Sequence, residues 1–387
     1  MAELQELSSC QLGDLPNEVI LKSFGFLDIK ELFLCGQVCK RLRAISNDES
    51  LWLKLNLFGT KISYDFIKKA TENGCQYLSL TFDILHMTEK SESLFKLKYL
   101  NMSEGLSHSS GLPKLLQNWS LLQKLSVADF PLDSDDVKHI CQNGQTLQVL
   151  DIGGCNIEFQ NRKKLLQDLF TNCAHLTELN ICADYGTHYL LVPQIQVLVD
   201  KMTPTILKLD LAFQNFTDEH VKTLVKRCNK ITHLDLTCTQ ITNDSVRSII
   251  KHLNTSLEKL NVSMTEVDSA IVPELKSITI LKTLICDADV VDIENLKQHL
   301  RHINLEALWA TGDLSTYSSS ELKVGWEAYG CPFTNPRTKK QTIPHIRISG
   351  VENLHNTSPF RIMNGSRVYY DLIWELRAKQ QYLFAKV

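Results

Sequence analysis

The stretch Ile231-Thr232-His233-Leu234-Asp235-Leu236-Thr237-Cys238 decides how the chain is read. Leu234 and Leu236 lie two residues apart, so in a strand both point to one side while His233 and Asp235 point to the other. The same L-x-x-L-x-L spacing, with Ile or Val replacing some leucines, recurs at Leu122-Leu125-Val127, Leu147-Leu150-Ile152, Leu176-Leu179-Ile181, Ile206-Leu209-Leu211 and Leu257-Leu260-Val262. Weaker copies stand at Leu78-Leu80, Leu97-Leu100-Met102, Leu281-Leu284-Cys286 and Leu305-Leu308. The central leucines thus fall at 78, 100, 125, 150, 179, 209, 234, 260, 284 and 308. Their interval is roughly 25 residues, the size of one strand–helix repeat unit. Helical stretches at 133–143, 217–227 and 243–253 lie between them, each opening on a capping residue. A strand–helix unit of this size cannot bury its apolar face alone, so its neighbours must stack on it. The expectation is an α/β solenoid over residues 58–310, with about ten units, parallel strands inside and helices outside. The longest intervals flank Leu179, and Asp184-Tyr185-Gly186-Thr187-His188 is read as the extra loop.

Composition narrows the function. Among 387 residues, 43% are hydrophobic and 22% charged, the balance of a soluble globular chain. Forty-one Lys and Arg against 44 Asp and Glu give a net charge of −3, which argues against a general nucleic-acid binder. No apolar run approaches the ~20 residues of a membrane span. The start, Met1-Ala2-Glu3-Leu4-Gln5-Glu6, lacks the basic and apolar segments of a secretory signal. The expectation is a cytoplasmic or nuclear protein, with no membrane and no nucleic-acid partner. The 12 cysteines include no Cys-x-x-Cys pair, so structural zinc is not expected. Cys75, Cys155, Cys173, Cys228 and Cys238 recur beside the strands and are read as small apolar packing groups. No Gly-rich phosphate loop, G-x-S-x-G or H-E-x-x-H occurs. Cys141 near His139 and Cys173 near His175 read as helix-end neighbours rather than dyads. No catalytic residue, metal ligand or cofactor is expected.

Residues 1–57 are of a different kind. Pro16 opens a helix reaching about Phe26, and Asp28 with Glu31 forms a capping-box pattern for a second through Cys35. A third spans 38–46, and 48–55 closes the unit around Trp52. Leu15-Pro16-x-Glu18-Val19-Ile20, Phe26-Leu27-Asp28, Glu31-Leu32, Val38-Cys39-Lys40-Arg41 and Leu51-Trp52-x-x-Leu55 together resemble an F-box. Two positions depart from that pattern: Ser23 stands where isoleucine is usual and Leu42 where tryptophan is common. The repeats behind it resemble leucine-rich repeats of the cysteine-containing subclass. The chain is accordingly similar to the F-box and leucine-rich-repeat family, the substrate receptors of SCF-type ubiquitin ligases. The resemblance implies a leucine-rich-repeat solenoid preceded by a small three-helix F-box at residues 1–57 (core 12–57). It implies docking on a Skp-type adaptor, and through it on a cullin–RING ligase, with an unknown protein substrate on the repeats. The residues matching its adaptor positions are Leu15, Pro16, Val19, Ile20, Leu27, Leu32 and Val38. The competing reading is that several of these, Ile20 and Leu32 above all, only pack the three helices together, since a helix of this size must bury one face internally. A plain repeat scaffold, with the helical segment only capping the solenoid, is the alternative.

Within each repeat the residue after the central leucine faces away from the core. That column reads Ser79, Asn101, Ser126, Asp151, Asn180, Asp210, Asp235, Asn261, Ile285 and Trp309, with Glu178, Lys208, His233 and Lys259 beside it. Asp151, Glu178, Asp210, Asp235 and Trp309 are the candidate substrate-binding residues; Asp210 and Asp235, on neighbouring strands, could share a basic ligand group. Residues 311–387 carry no repeat. Ser366 can cap a helix at about 366–384 whose broad apolar face must bury itself, as an end cap or as a lid over the column.

Overall fold

The computed structural model describes residues 15–57, 64–80, 96–102, 121–128, 130–142, 144–157, 162–183, 190–263, 265–289, 300, 304–311, 333–334 and 341–344. The extra loop expected at 184–188 and the terminal helix expected at 366–384 lie outside these residues. The chain divides into two compact units, residues 1–206 and 207–387.

The first unit opens with four short helices, α1 (Asn17–Phe24), α2 (Ile29–Val38), α3 (Lys40–Ser46) and α4 (Glu49–Trp52). Pro16 sits just before α1 rather than in its first turn, and its carbonyl accepts from the N–H groups of Val19 and Ile20. The capping box of α2 forms as expected. Asp28 Oδ1 accepts from the N–H of Lys30 and Glu31, and Glu31 Oε2 accepts from the N–H of Asp28. The second helix therefore runs to Val38, and Cys39 caps the third, its Sγ accepting from the N–H of Leu42. Ile20, Phe24, Leu32, Leu42 and Ile45 form the core of this helical unit. Leu42 is thus an internal packing residue. Ser23 is exposed and donates to the Val19 carbonyl, so its departure from isoleucine leaves the core intact. Gly36 packs closely on α3: a Cβ there would stand 2.6 Å from Ser46 Oγ, and the hydroxyl would have to turn away.

Among the described residues of this unit the strands that follow are β1 (Lys54–Leu57), β2 (Tyr77–Leu80), β3 (Tyr99–Asn101), β4 (Lys124–Ser126), β5 (Pro131–Leu132), β6 (Val149–Asp151), β7 (Asn156–Ile157) and β8 (Glu178–Asn180). β1, β2, β3, β4, β6 and β8 pair in that order, all parallel, while β5 and β7 pair separately. The register aligns Leu55, Leu78, Leu100, Leu125, Leu150 and Leu179, and all six are buried. Each such leucine contributes about 1.5–3 kcal/mol of burial. The first member was not anticipated: β1 lies inside the segment assigned to the F-box and supplies the first strand of the repeat sheet. Trp52 beside it is buried and donates from Nε1 to the Ser46 carbonyl at 2.7 Å, which ties α4 to the end of α3.

The second unit repeats the pattern with β9 (Lys208–Asp210), β10 (His233–Asp235), β11 (Lys259–Asn261), β12 (Thr283–Asp289) and β13 (Asn304–Thr311), again parallel. Helices at Asp218–Arg227 and Asn243–Leu253 bury Val221, Leu224, Val225, Val246 and Ile249. The register corrects one expectation. Leu284 pairs with Leu305, not with Leu308, and a β-bulge between Cys286 and Ala288 shifts the pairing beyond it. Two further strands, β14 (Phe333–Thr334) and β15 (Gln341–Pro344), are antiparallel, β15 pairing with Trp309 and Ala310 of β13. Part of the non-repetitive tail therefore extends the edge of the repeat sheet. Of the cysteines read as packing groups, Cys75, Cys155, Cys173 and Cys228 are buried. Cys238 is only half-buried, and it occupies a left-handed turn at φ 55°.

One buried carboxylate in the first unit strains the fold. Asp136 closes a capping box at the helix Ser134–Gln142, its Oδ2 accepting from the N–H of Asp133. Its Oδ1 is buried with no hydrogen-bond partner among the described residues. Burial pushes this carboxyl up to about 6, and the charges of Asp133 and Asp135 add to the effect. A folded value above the unfolded one means stability is highest below about pH 4 and falls as pH rises through about 6. Asp136→Asn keeps the acceptor and removes the charge. It is expected to raise stability by about 1–2 kcal/mol at pH 7.5, after allowance for solvent screening, and to leave it unchanged at pH 4. Urea unfolding at the two pH values checks this; an equal gain at both would refute the electrostatic cause.

Candidate functional site

Helix α1, the turn after it and α2 carry an apolar surface that nothing in the described chain covers. Val19, Phe26, Leu34 and Val38 are exposed, Phe26 at 90%, Leu34 at 61% and Val38 at 73%. Leu34 and Val38 are four residues apart and so lie on one stripe of α2. Among the residues expected to meet an adaptor, Pro16, Val19 and Val38 are exposed, and Leu15 and Leu27 are half-buried against the helical core. Ile20 and Leu32 are 1% and 4% exposed, so they pack the helices together and present no surface. Phe26 and Leu34 were missed; the signal for Leu34 was its i, i+4 relation to Val38. Arg41 of α3 fixes the approach to α1. Its guanidinium donates to Asn17 Oδ1 at 2.8 Å and to the Leu15 carbonyl. Phe33, also exposed, lies under Lys69 Nζ of the helix Tyr64–Glu72 at 5.3 Å, a cation–π contact.

The second surface is the strand face opposite the leucine core. In the first unit, Asp151 Oδ2 accepts from Ser126 Oγ at 2.9 Å and its Oδ1 from the N–H of Gly153. Glu178 lies one strand over, in register with Val149. In the second unit Asp210 and Asp235 are directly in register, as the spacing required. Their role is not mere solvation. Asp210 Oδ1 accepts from the N–H of Ala212, and Asp235 Oδ1 from the N–H and hydroxyl of Thr237. Asn180 and Asn261 do the same two residues on, at Cys182 and Ser263. The column is a series of Asx turns that end the strands. Asn261 Nδ2 also donates to Asp235 Oδ2 at 2.8 Å. Ile285 is buried rather than displayed. Trp309 is not in the column: Glu306 is the position in register with Ile285, and Trp309 pairs with Pro344 beyond the bulge. The position before each leucine was read at only four places, which missed an aromatic pair. Tyr77 and Tyr99 have ring centroids 6.4 Å apart, with Lys54 Nζ 5.1 Å from the Tyr77 ring. Burial pushes the Tyr99 hydroxyl up, and the charge of Asp151 adds to it.

Among the described residues no three or more His, Cys, Asp or Glu side chains are placed to hold a metal ion. No described helix is long and apolar enough to cross a membrane. Residues 12–57 match the F-box-like family model, and residues 66–311 match the model described as the SKP2 LRR domain. A solved internalin (inlF) from Listeria monocytogenes aligns at 16% identity, covering 66% of this chain and 81% of that one, with a TM-score of 0.39. Segments of the first kind bind Skp-type adaptors and repeats of the second kind bind substrates, an arrangement typical of non-catalytic receptor proteins. With an F-box-like segment followed by repeats of this type over most of its length, the chain belongs to the F-box and leucine-rich-repeat family.

Proposed function

We propose that this protein is the substrate-recognition subunit of an SCF-type ubiquitin ligase, acting in the cytoplasm or nucleus. Its helical unit docks on a Skp-type adaptor and so on a cullin–RING ligase, and its repeats hold a protein to be ubiquitinated and degraded. It makes and breaks no bond itself. Its contribution is proximity, bringing a substrate lysine to a thioester carried by another subunit. One observation carries the reading: Val19, Phe26, Leu34 and Val38 stay exposed on the helical unit although the repeats adjoin it. Several large apolar side chains left exposed on one small helical unit support a partner site. β1 favours the second reading, a repeat scaffold, because a cap would also contribute the first strand of the sheet. A pure cap, however, would bury the apolar residues that are exposed here. Leu15→Ala with Pro16→Ala is expected to abolish adaptor co-purification while the repeats remain folded by circular dichroism. Full retention of the adaptor by that variant would count against the ligase role and for the scaffold.

A further inference from the structure

The strand face of the second unit carries two lines of charge rather than one. β9, β10 and β11 set Lys208, His233 and Lys259 side by side, and two residues on they set Asp210, Asp235 and Asn261 side by side. The strand rise separates the lines by about 6.6 Å. Both emerge on the side away from Leu209, Leu234 and Leu260, which are buried. Lys208 and Lys259 therefore flank a single imidazole, one on each neighbouring strand.

The imidazole of His233 is held in a defined way. Its Nδ1 stands 2.9 Å from Thr232 Oγ1, whose hydroxyl hydrogen is directed to the Leu207 carbonyl at 3.0 Å. The hydroxyl oxygen can then only accept from the ring, so Nδ1 is assigned the hydrogen and Nε2 is the atom that gains a proton. The charged groups facing the ring are Lys208 and Lys259 on the flanking strands, with Glu258 and Lys282 beyond; Glu258 is held by Lys282 Nζ at 2.7 Å. Burial, then Lys208 and Lys259, hold the imidazole below its usual range. An anion arriving at Nε2 reverses that balance and draws a proton onto the ring. On the other line, Asp235 is fixed by Thr237 and Asn261, so its charge is presented in one orientation.

We propose that this face binds a protein segment whose acidic and basic side chains are spaced to match the two lines. The carboxylate docks at His233 between Lys208 and Lys259, and the cation docks at Asp210 and Asp235. The inference rests on the receptor reading above and names its substrate class. Two lysines and two aspartates leave the face without net charge, so it favours a charge pair over a single charge of either sign. A doubly charged phosphate would gain from the lysines but meet two carboxylates one line away. A singly charged carboxylate with its own cation completes both lines. Residues i and i+2 of an extended segment provide the spacing.

Fluorescence anisotropy of the full chain with labelled synthetic peptides tests this. The probe is a Gly/Ser host carrying three Glu-Ala-Lys units. Its controls replace Glu by Gln, Lys by Gln, or Glu by phosphoserine. The Glu-Ala-Lys peptide is expected to bind at least about fivefold tighter than every control and to tighten about fivefold from pH 8 to pH 5.5. His233→Asn should remove that pH dependence, and Lys208→Glu with Lys259→Glu should remove binding. Because variants can misfold, NMR of ring-labelled histidine in the unaltered chain gives an independent readout: the His233 titration should move to higher pH when the peptide is added. Equal binding of a control, tighter binding of the phosphoserine peptide, or an unmoved His233 titration overturns the proposal. Adaptor co-purification is followed on the same preparations. Its loss with peptide discrimination intact sinks the receptor reading alone; its retention without discrimination sinks this inference alone.

Discussion

Leu34→Asp with Val38→Asp is expected to eliminate binding of a Skp-type adaptor while leaving the thermal unfolding of the protein unchanged. Both side chains are mostly in water, at 61% and 73% exposure, so neither supports the helical core and neither aspartate is buried in the free chain. In a complex the same stripe is desolvated, and two carboxylates placed in an apolar contact cost several kcal/mol. A loss of at least about 100-fold in affinity follows if these residues sit near the centre of the interface, where few side chains carry most of the energy. Ile20→Ala and Leu32→Ala must behave differently. Their side chains are internal, and truncation leaves a cavity costing about 2–5 kcal/mol in a unit of some forty residues with little stability to spare. These variants should also lose adaptor binding, but together with helical circular dichroism and protease resistance of residues 15–57. Surface plasmon resonance against purified adaptor, paired with thermal melts, separates the two groups. Adaptor binding retained by the double aspartate variant would move the interface off α2.

The contrast between those two groups marks how far the sequence was legible. Ile20 and Val19 are adjacent in an apolar run, and only the packing of α1 on α3 decides which one faces inward. The repeats were easier because period two and the recurring interval between central leucines both point to the same side chains. Ten such leucines leave little room for another register. Where the chain offers two candidates the pattern fails. Leu305 and Leu308 both fit the leucine spacing, and the choice is made by backbone pairing of Thr283 with Asn304 and by the bulge beyond it. Leu55 was hidden for a related reason: the short strand Lys54–Leu57 after Trp52 is indistinguishable in sequence from the end of the F-box pattern. The site was legible in kind and not in detail. That Asp210 and Asp235 would be neighbours followed from the register, but their use as turn acceptors for Ala212 and Thr237 depends on where the chain goes after the strand. The pairing of Tyr77 with Tyr99, and the line formed by Lys208, His233 and Lys259, required two rows to be read at once.

The helices outside the strands are tied to one another by a carboxylate whose removal should have the largest effect on stability in the second unit. Asp218 begins the helix Asp218–Arg227, yet its acceptors serve the next repeat. Its Oδ1 accepts from the N–H of Thr242 at 2.9 Å and from the N–H and hydroxyl of Ser245, and its Oδ2 from the Thr242 hydroxyl at 2.9 Å. Ser245 is fully buried, so without Asp218 its hydroxyl loses this acceptor with no water to replace it. Hydrogen bonds to a charged group are worth about 1.5–3 kcal/mol each, and a buried donor left unpaired adds its own cost. Part is recovered because the Ser245 N–H also reaches the Thr242 carbonyl at 3.1 Å. Asp218→Ala is therefore expected to lose about 2–4 kcal/mol at pH 7. The pH dependence gives a second check. Burial pushes the Asp218 carboxyl up, but the bonds from Ser245 and Thr242 outweigh it and hold the carboxyl below its usual range. A folded value below the unfolded one stabilises the protein above about pH 4, and this contribution fades as pH falls through the folded value. The gap between the parent protein and Asp218→Ala should accordingly narrow in acid, as it does for Asp136→Asn, but here the variant is the less stable protein at neutral pH rather than the more stable one. Urea unfolding at pH 7 and pH 3 measures it; a gap that is constant with pH would assign the loss to packing rather than to the carboxylate charge.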